Sequence, residues 1–176
     1  MGRLRHRTAP GCTYFVTTKT WGNRSLFQVT ETAETVIEVL LRYRAQDAYR
    51  LHEFVLMPNH LHILLTPGPT TTLEKAMQLI KGGSSYEIHK RRGNRTEIWQ
   101  GGFHEQTIRN ERDLQNKVEY IRANPVVAKL VSRPEQWPHS SAQPGLHLDE
   151  PPQDLASGAK APVHSLSVVG AKAPTP

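Results

Sequence analysis

A single cysteine, Cys12, among 176 residues excludes an intramolecular disulfide framework and suits a reducing compartment. No run approaches the ~18 consecutive apolar residues of a membrane span. The basic opening MGRLRHRTAP is not followed by the apolar core of an export signal. The expectation is a soluble, cytoplasmic protein with no membrane partner. Acidic residues are the scarcer charge, 16 against 22 Lys and Arg, for a formal +6. The basic excess is clustered: Arg3, Arg5 and Arg7 form one group, and Lys81, Lys90, Arg91, Arg92 and Arg95 another. Clustered positive charge favours a polyanion, because neutralised phosphates release counterions. A merely solubilising surface would have the same composition, which therefore does not choose between the two.

The length leaves room for one domain that folds without staples, and for a tail. Residues 12–21, CTYFVTTKTW, are β-branched and aromatic and predict a strand. A helix should follow from a Thr30 or Thr32 cap to about residue 49, with Ala33, Val36, Ile37, Leu40 and Leu41 at helical spacing. Strands are expected at 51–57 and 60–66 around Pro58-Asn59, although this pair is not a favoured type I′ turn. A helix over 73–92 carries Leu73, Ala76, Met77 and Ile80 on one side, and Gly82-Gly83 should bend or interrupt it. A short strand near 103–109 and a helix over 112–124 complete the pattern, the helix stopping before Pro125.

Beyond Ser141 the composition shifts to Pro, Ala, Gly and Ser, and GAKAP occurs at 158–162 and again at 170–174. This is the composition of a disordered tail, so the expected division is a domain over 1–141 and a tail over 142–176. The order β-α-β-β-α-β-α implies an α+β fold of ferredoxin-like (RRM-like) type. Its antiparallel sheet would carry helices on one face and leave the other free for function.

Within the second hairpin strand, MPNHLHILL places His60 and His62 two residues apart. Strand residues at i and i+2 share a face, so both rings point the same way. With Pro58-Asn59 as the turn, Met57 faces His60, Val55 faces His62 and Glu53 faces Leu64. Phe54, Leu56, Leu61, Ile63 and Leu65 then form the floor beneath the helices. Two neutral imidazoles bind a divalent metal, but two ligands are too few for a stable site. Taken alone, the pair reads as two surface histidines on a half-exposed strand rather than as metal ligands. Glu53, on the histidine face, is placed to orient an imidazole through its second nitrogen. On the last helix, Leu114, Val118 and Ile121 make one stripe, and Tyr120 and Asn124, at i and i+4, share a neighbouring one. By themselves these are a boundary tyrosine and a helix-end asparagine.

The segments MPNHLHILL, KAMQLIKGGSSYEIHKR, IWQGGFHEQTIRNERDL, VEYIRANPVVAKLV and QWPHSS together resemble the REP-associated tyrosine transposases. These are a branch of the single-tyrosine HUH transposases, named for His, bulky hydrophobe, His. MPNHLH followed about 60 residues later by YIxxNPV is the specific combination. The resemblance implies that His60 and His62 hold a divalent metal, Mg²⁺ or Mn²⁺. Asn124 would be the third protein ligand, at a position where some relatives carry glutamine. Tyr120, on a C-terminal helix over the open face, would attack a DNA phosphodiester, leaving a 5′-phosphotyrosine bond and a free 3′-hydroxyl. The implied substrate is single-stranded DNA folded into imperfect hairpins, cut near the hairpin foot.

Lys90, Arg91, Arg92 and Arg95, close to Trp99 and Phe103, are the candidates for gripping the hairpin, and Arg3, Arg5 and Arg7 for holding an unpaired guide sequence. Two other functions use the same residues: a regulator that binds structured nucleic acid without cutting it, and a metal hydrolase acting through water. No second motif rich in Asp, Glu or His supports the hydrolase. KGGSS at 81–85 lacks the Walker spacing and reads as a helix irregularity. His104-Glu105 reads as a strand-edge hydrogen bond or a second acid/base pair. Monomer and homodimer both stay open, with the monomer as default.

Overall fold

The computed structural model describes residues 11–93, 95–152 and Leu155. Seven regular elements follow one another: β1 (Tyr14–Lys19), α1 (Thr30–Ala45), β2 (Tyr49–Met57), β3 (His60–Pro67), α2 (Leu73–Arg92), β4 (His104–Thr107) and α3 (Glu111–Val127). The four strands form one antiparallel sheet in the order β2-β3-β1-β4, the ferredoxin-like arrangement expected from the element order. None of the described helices is long and apolar enough to cross a membrane.

Period-two alternation sorts the strand side chains onto two faces. Tyr14, Val16, Phe54, Leu56, Leu61, Ile63 and Leu65 join Val36 and Leu40 of α1 and Ala76, Met77 and Ile80 of α2 in the main core. Phe15, Val55, Met57 and Leu64 face the other way, where Ile121 of α3 buries itself with Leu114 and Val118 packed alongside. The second face is thus roofed by α3, and the site lies beneath this roof. The hairpin register is the expected one, with Met57 opposite His60, Val55 opposite His62 and Glu53 opposite Leu64. A bulge between Leu51 and Glu53 breaks the alternation only at the far end.

Several helix boundaries differ from those the sequence suggests. Helix α1 has Val29 at its N-cap, with no side-chain cap, in place of a threonine. It stops at Ala45 because Asp47 turns left-handed (φ 55°). Tyr49 then enters β2 with its buried phenol donating to the Leu40 carbonyl at 2.6 Å. Gly82-Gly83 do not interrupt α2. A Cβ on Gly83 would lie 2.9 Å from Tyr43 Cε2 and 3.1 Å from Val39 Cγ1, so this glycine lets α2 approach α1 closely. Helix α2 is capped by Thr72, whose hydroxyl accepts from Lys75 N at 3.2 Å, and closed by left-handed Gly93.

Helix α3 is capped by Asn110, whose side chain accepts from Asp113 N at 2.8 Å. It runs through Pro125 to Val127 rather than ending at Asn124. In the last turn a proline removes one helical hydrogen bond, and burial of its ring offsets the loss; Pro125 is buried.

The largest departure concerns the expected tail. Residues 139–149 run along the outer edge of β2. There Leu56 N donates to His139 O (2.8 Å), Ser141 N to Phe54 O (3.0 Å) and Asp149 N to Leu51 O (2.9 Å). Trp137 Nε1 adds a bond to Leu56 O at 3.0 Å. Arg44 of α1 clasps Asp149 through two bonds of 2.9 Å, and Leu146 and Leu148 pack on the main core. The folded unit therefore extends past Ser141. An edge strand carries unpaired N–H and C=O groups that need covering, and this segment supplies the partners. The GAKAP repeats lie outside the described residues.

Candidate active site beneath the last helix

The site is built where β1, β3 and α3 meet. Thr17 lies opposite His62 and Lys19 opposite His60 across the β1–β3 pairing. The two imidazole rings are 4.6 Å apart, nearly perpendicular. The face of Phe15 stacks on His62 at 5.4 Å, and the ring of Tyr120 meets His62 edge-on at 5.2 Å and Phe15 at 5.8 Å. Tyr120 is nevertheless 48% exposed, so its phenol is open to a substrate while its ring is gripped from beneath. Asn124, half-buried, follows one helical turn later on the same stripe.

Each imidazole is fixed through the same nitrogen. His62 Nδ1 is hydrogen-bonded to Thr17 Oγ1 at 2.8 Å. His60 Nδ1 donates to Asn59 Oδ1 at 2.7 Å, and the Asn59 amide is oriented by donating to Asn23 Oδ1 at 2.9 Å. An amide oxygen only accepts, so His60 carries its proton on Nδ1 and its lone pair on Nε2. Burial, then the positive charge of Lys19, lowers the His60 pKa. Burial, followed by His60, Lys117 and Lys19, pushes His62 down to about 3. Both rings are neutral at pH 7. Neutral rings anchored at Nδ1 are what a metal requires of histidine ligands, so the donor chemistry of this pair fits a divalent cation. Among the described residues, no group of three or more His, Cys, Asp or Glu side chains is placed to hold a metal ion.

Sequence reasoning placed the two histidines and Tyr120 but missed the residues around them. Lys117, one turn before Tyr120, holds its ammonium 4.6 Å from the Phe15 ring centre and 5.8 Å from that of Tyr120. The i, i+3 spacing to Tyr120 was a usable signal. With Lys19, it surrounds two neutral imidazoles and a phenol with positive charge. Phe15, Thr17 and Lys19 alternate on β1 and so share its site face, but which strand lies beside His62 is decided by the sheet order.

Glu53 has a different role from the one its register suggested. It is 3% exposed and faces α3, where Arg122 grips one carboxylate oxygen at 2.9 and 3.1 Å. The Ser141 hydroxyl donates to the other and accepts from Phe54 N at 2.9 Å. This carboxylate ties the helix carrying Tyr120 to β2 and to the closing segment. Removing one partner of a buried pair leaves the other charge uncompensated. Because Arg122 is half exposed, Arg122→Ala is expected to cost about 2 kcal/mol in urea unfolding, below the usual range for fully buried pairs. Adding Glu53→Leu should restore most of it; a loss under ~0.5 kcal/mol for the single change would remove the pair from the account.

The basic segment at the end of α2 divides in two. Arg91 binds Thr35 Oγ1 at 2.8 Å and Glu38 at 2.5 Å, and Arg92 bonds to Thr32 Oγ1; both fold back onto α1. Lys90 and Arg95 are exposed. Lys81 is no surface cation: its ammonium donates to Gln100 O (2.7 Å) and Gly102 O (2.6 Å), and burial lowers its pKa to about 8. His104 and Glu105 are successive residues of β4 and so point to opposite faces of the sheet. Arg3, Arg5 and Arg7 lie outside the described residues.

Buried neutral histidines also shape the response to acid. His52 donates from Nδ1 to Asp149 O at 2.9 Å and bonds through Nε2 to Thr66 Oγ1 at 2.8 Å; burial lowers its pKa. His52 and His62 bind fewer protons folded than unfolded below their ordinary value near 6.5. Their contribution to stability is therefore complete above that pH and is lost as pH falls toward the folded values. Each group contributes up to about 1.4 kcal/mol per pH unit in this window. Urea midpoints measured in EDTA should drop steadily from pH 7 to 5, and a flat profile would contradict the assignment.

Comparison with known proteins gives the arrangement a family. The family described as "Transposase IS200 like" matches residues 9–124. A REP-associated tyrosine transposase of Escherichia coli (strain K12) is 25% identical over 142 residues, 80% of this chain and 82% of its own. The solved structure of a REP-associated tyrosine transposase bound to a REP hairpin superimposes with a TM-score of 0.69 at 25% identity, covering 80% of this chain and 82% of that one. A second structure, from Deinococcus radiodurans, shares the fold with a TM-score of 0.50 at 19% identity, over 69% and 94% of the two chains. The chain belongs to the IS200-like transposase family of DNA-processing enzymes, and within it resembles the REP-associated tyrosine transposases.

Proposed function

We propose that this transposase cuts and rejoins single-stranded DNA at hairpins through a covalent bond to Tyr120, with a divalent metal held by His60, His62 and Asn124. The observation that carries the reading is the exposed Tyr120 phenol on a ring packed 5.2 Å from His62. In the cutting step the Tyr120 oxygen attacks phosphorus and loses its proton. The P–O3′ bond breaks, and the departing 3′ oxygen takes up a proton. The products are a 5′-phosphotyrosine and a free 3′-hydroxyl, and attack by a 3′-hydroxyl reverses the step, so rejoining needs no external energy source. Bound at the imidazole Nε2 atoms and the Asn124 amide oxygen, Mg²⁺ or Mn²⁺ would act as a Lewis acid on the scissile phosphate. Imidazole donors suit Mn²⁺ in vitro, while Mg²⁺ is the abundant cytoplasmic ion.

The chain's own residues do the rest. Phe15 and His62 fix the Tyr120 ring, Glu53 and Arg122 hold its helix to the sheet, and Lys117 and Lys19 offset the charge of the DNA backbone. Lys90 and Arg95 are the two members of the α2 basic group free to contact hairpin DNA. The test is incubation of the full chain with labelled hairpin DNA and Mn²⁺. A denaturation-resistant protein–DNA adduct is expected; metal-dependent cutting with no adduct at any time would indicate a hydrolase, and tight binding without cutting a regulator.

A further inference from the structure

We propose that the cleft on the outer face of α2, lined by Tyr86, His89, Lys90 and Arg95, is a subsite for one unpaired nucleotide of the DNA. Its base would stack on the Tyr86 ring, and the flanking phosphates would lie on Lys90 and Arg95. The proposal rests on the reading that single-stranded DNA is the substrate, and adds a contact on the side of the sheet away from Tyr120.

Helical spacing generates the cleft. Residues 82, 86, 89 and 90 recur at i, i+4, i+7 and i+8 and share one face of α2, while Ile80, Ser84 and Ile88 are buried on another. The chain reverses at left-handed Gly93 (φ 66°) and brings Arg95 over the same concavity, which holds about 670 Å³. Tyr86 is 65% exposed, more than Trp21 or Tyr120. A lone exposed aromatic carries little weight, but here the ring stands in a concavity whose charged lining residues are basic.

Two nearby acids are already engaged. Glu87 pairs with Arg42 at 3.1 Å, and Glu38 with Arg91. Basic residues in a last helical turn also serve the helix dipole, and Arg91 and Arg92, laid back on α1, fill that role. Lys90 and Arg95 face the cleft instead. An aromatic platform beside free cations is the chemistry that holds a single-stranded base and its backbone whatever the base identity. A paired base offers no free face for such stacking. Because α2 and α3 cover opposite faces of the sheet, a nucleotide held here belongs to a part of the strand distant from the reacting phosphate.

The experiment uses the Tyr120→Phe chain, so that no cutting intervenes, with hairpin oligonucleotides carrying 2-aminopurine at each unpaired position in turn. Binding is expected to quench fluorescence at one or two positions. Tyr86→Phe should preserve the quench, and Tyr86→Ala should abolish it and weaken binding about 5- to 100-fold. Lys90→Ala and Arg95→Ala should each lower the salt slope of binding by about one. Wild-type affinity with unaltered quenching in Tyr86→Ala would overturn the proposal. So would an equal loss of affinity for blunt duplex and for hairpin DNA in the lysine and arginine variants. None of these readouts depends on adduct formation, so failure of the adduct assay and failure of this proposal are separately visible.

Discussion

Tyr120→Phe is expected to bind hairpin DNA with the affinity of the parent chain and to form no covalent adduct. The substitution removes one oxygen and leaves the ring, whose edge contacts with His62 and Phe15 anchor this part of α3. Folding and DNA binding therefore survive, and the loss is confined to the bond-forming atom. Deleting a nucleophile removes the covalent route altogether, so the rate should fall by ~10³-fold or more. Because a phenol is a weak nucleophile at neutral pH, small displacements of its helix should also matter. Arg122→Ala should then slow adduct formation as well as destabilise the fold. An adduct formed by the phenylalanine variant, detected by denaturing electrophoresis of labelled DNA, would remove Tyr120 from its role.

The second large effect is on the metal. Stripped with EDTA and titrated with Mn²⁺, the parent chain should gain thermal stability, about 2.7 kcal/mol once the metal reaches 100 times its dissociation constant. His62→Ala should show no such gain and lose metal-stimulated cutting by ~100-fold or more. His62 is buried and stacked on Phe15, so its truncation also disturbs packing. His60→Gln is the control: His60 is only half-buried, and the glutamine keeps a polar donor at the turn. If both variants retain the Mn²⁺-dependent shift, the pair holds no metal. Asn124→Ala should weaken the shift without changing stability in EDTA by more than about 0.5 kcal/mol, as expected for a partly exposed side chain.

The sequence by itself determined the sheet and the histidine pair. Alternation in LHEFVLM and HLHILL, joined by two turn residues, leaves one register that buries Phe54, Leu56, Leu61, Ile63 and Leu65 together, and a slip of one residue would turn them all to the other face. Helical spacing likewise placed Tyr120 and Asn124 on one stripe. Contacts between elements distant along the chain were not legible, because local periodicity carries no distance across the fold. Phe15, Thr17 and Lys19 reach the site only because β1 inserts between β3 and β4.

Glu53 could be placed on the histidine face from sequence, but only the docking of α3 gave its carboxylate to Arg122. The packing of α1 against α2 lets Arg91 and Arg92 bond back to Thr35, Glu38 and Thr32, so the four basic residues between 90 and 95 resolve into two clips and two free cations. Composition assigned residues 142–152 to a tail, yet the open edge of β2 needed hydrogen-bond partners, and Asp149 with Arg44 fastened the segment there. Local pattern specified which faces exist; tertiary packing decided which groups meet on them, since a buried carboxylate or an open strand edge is satisfied by whatever the fold brings within reach.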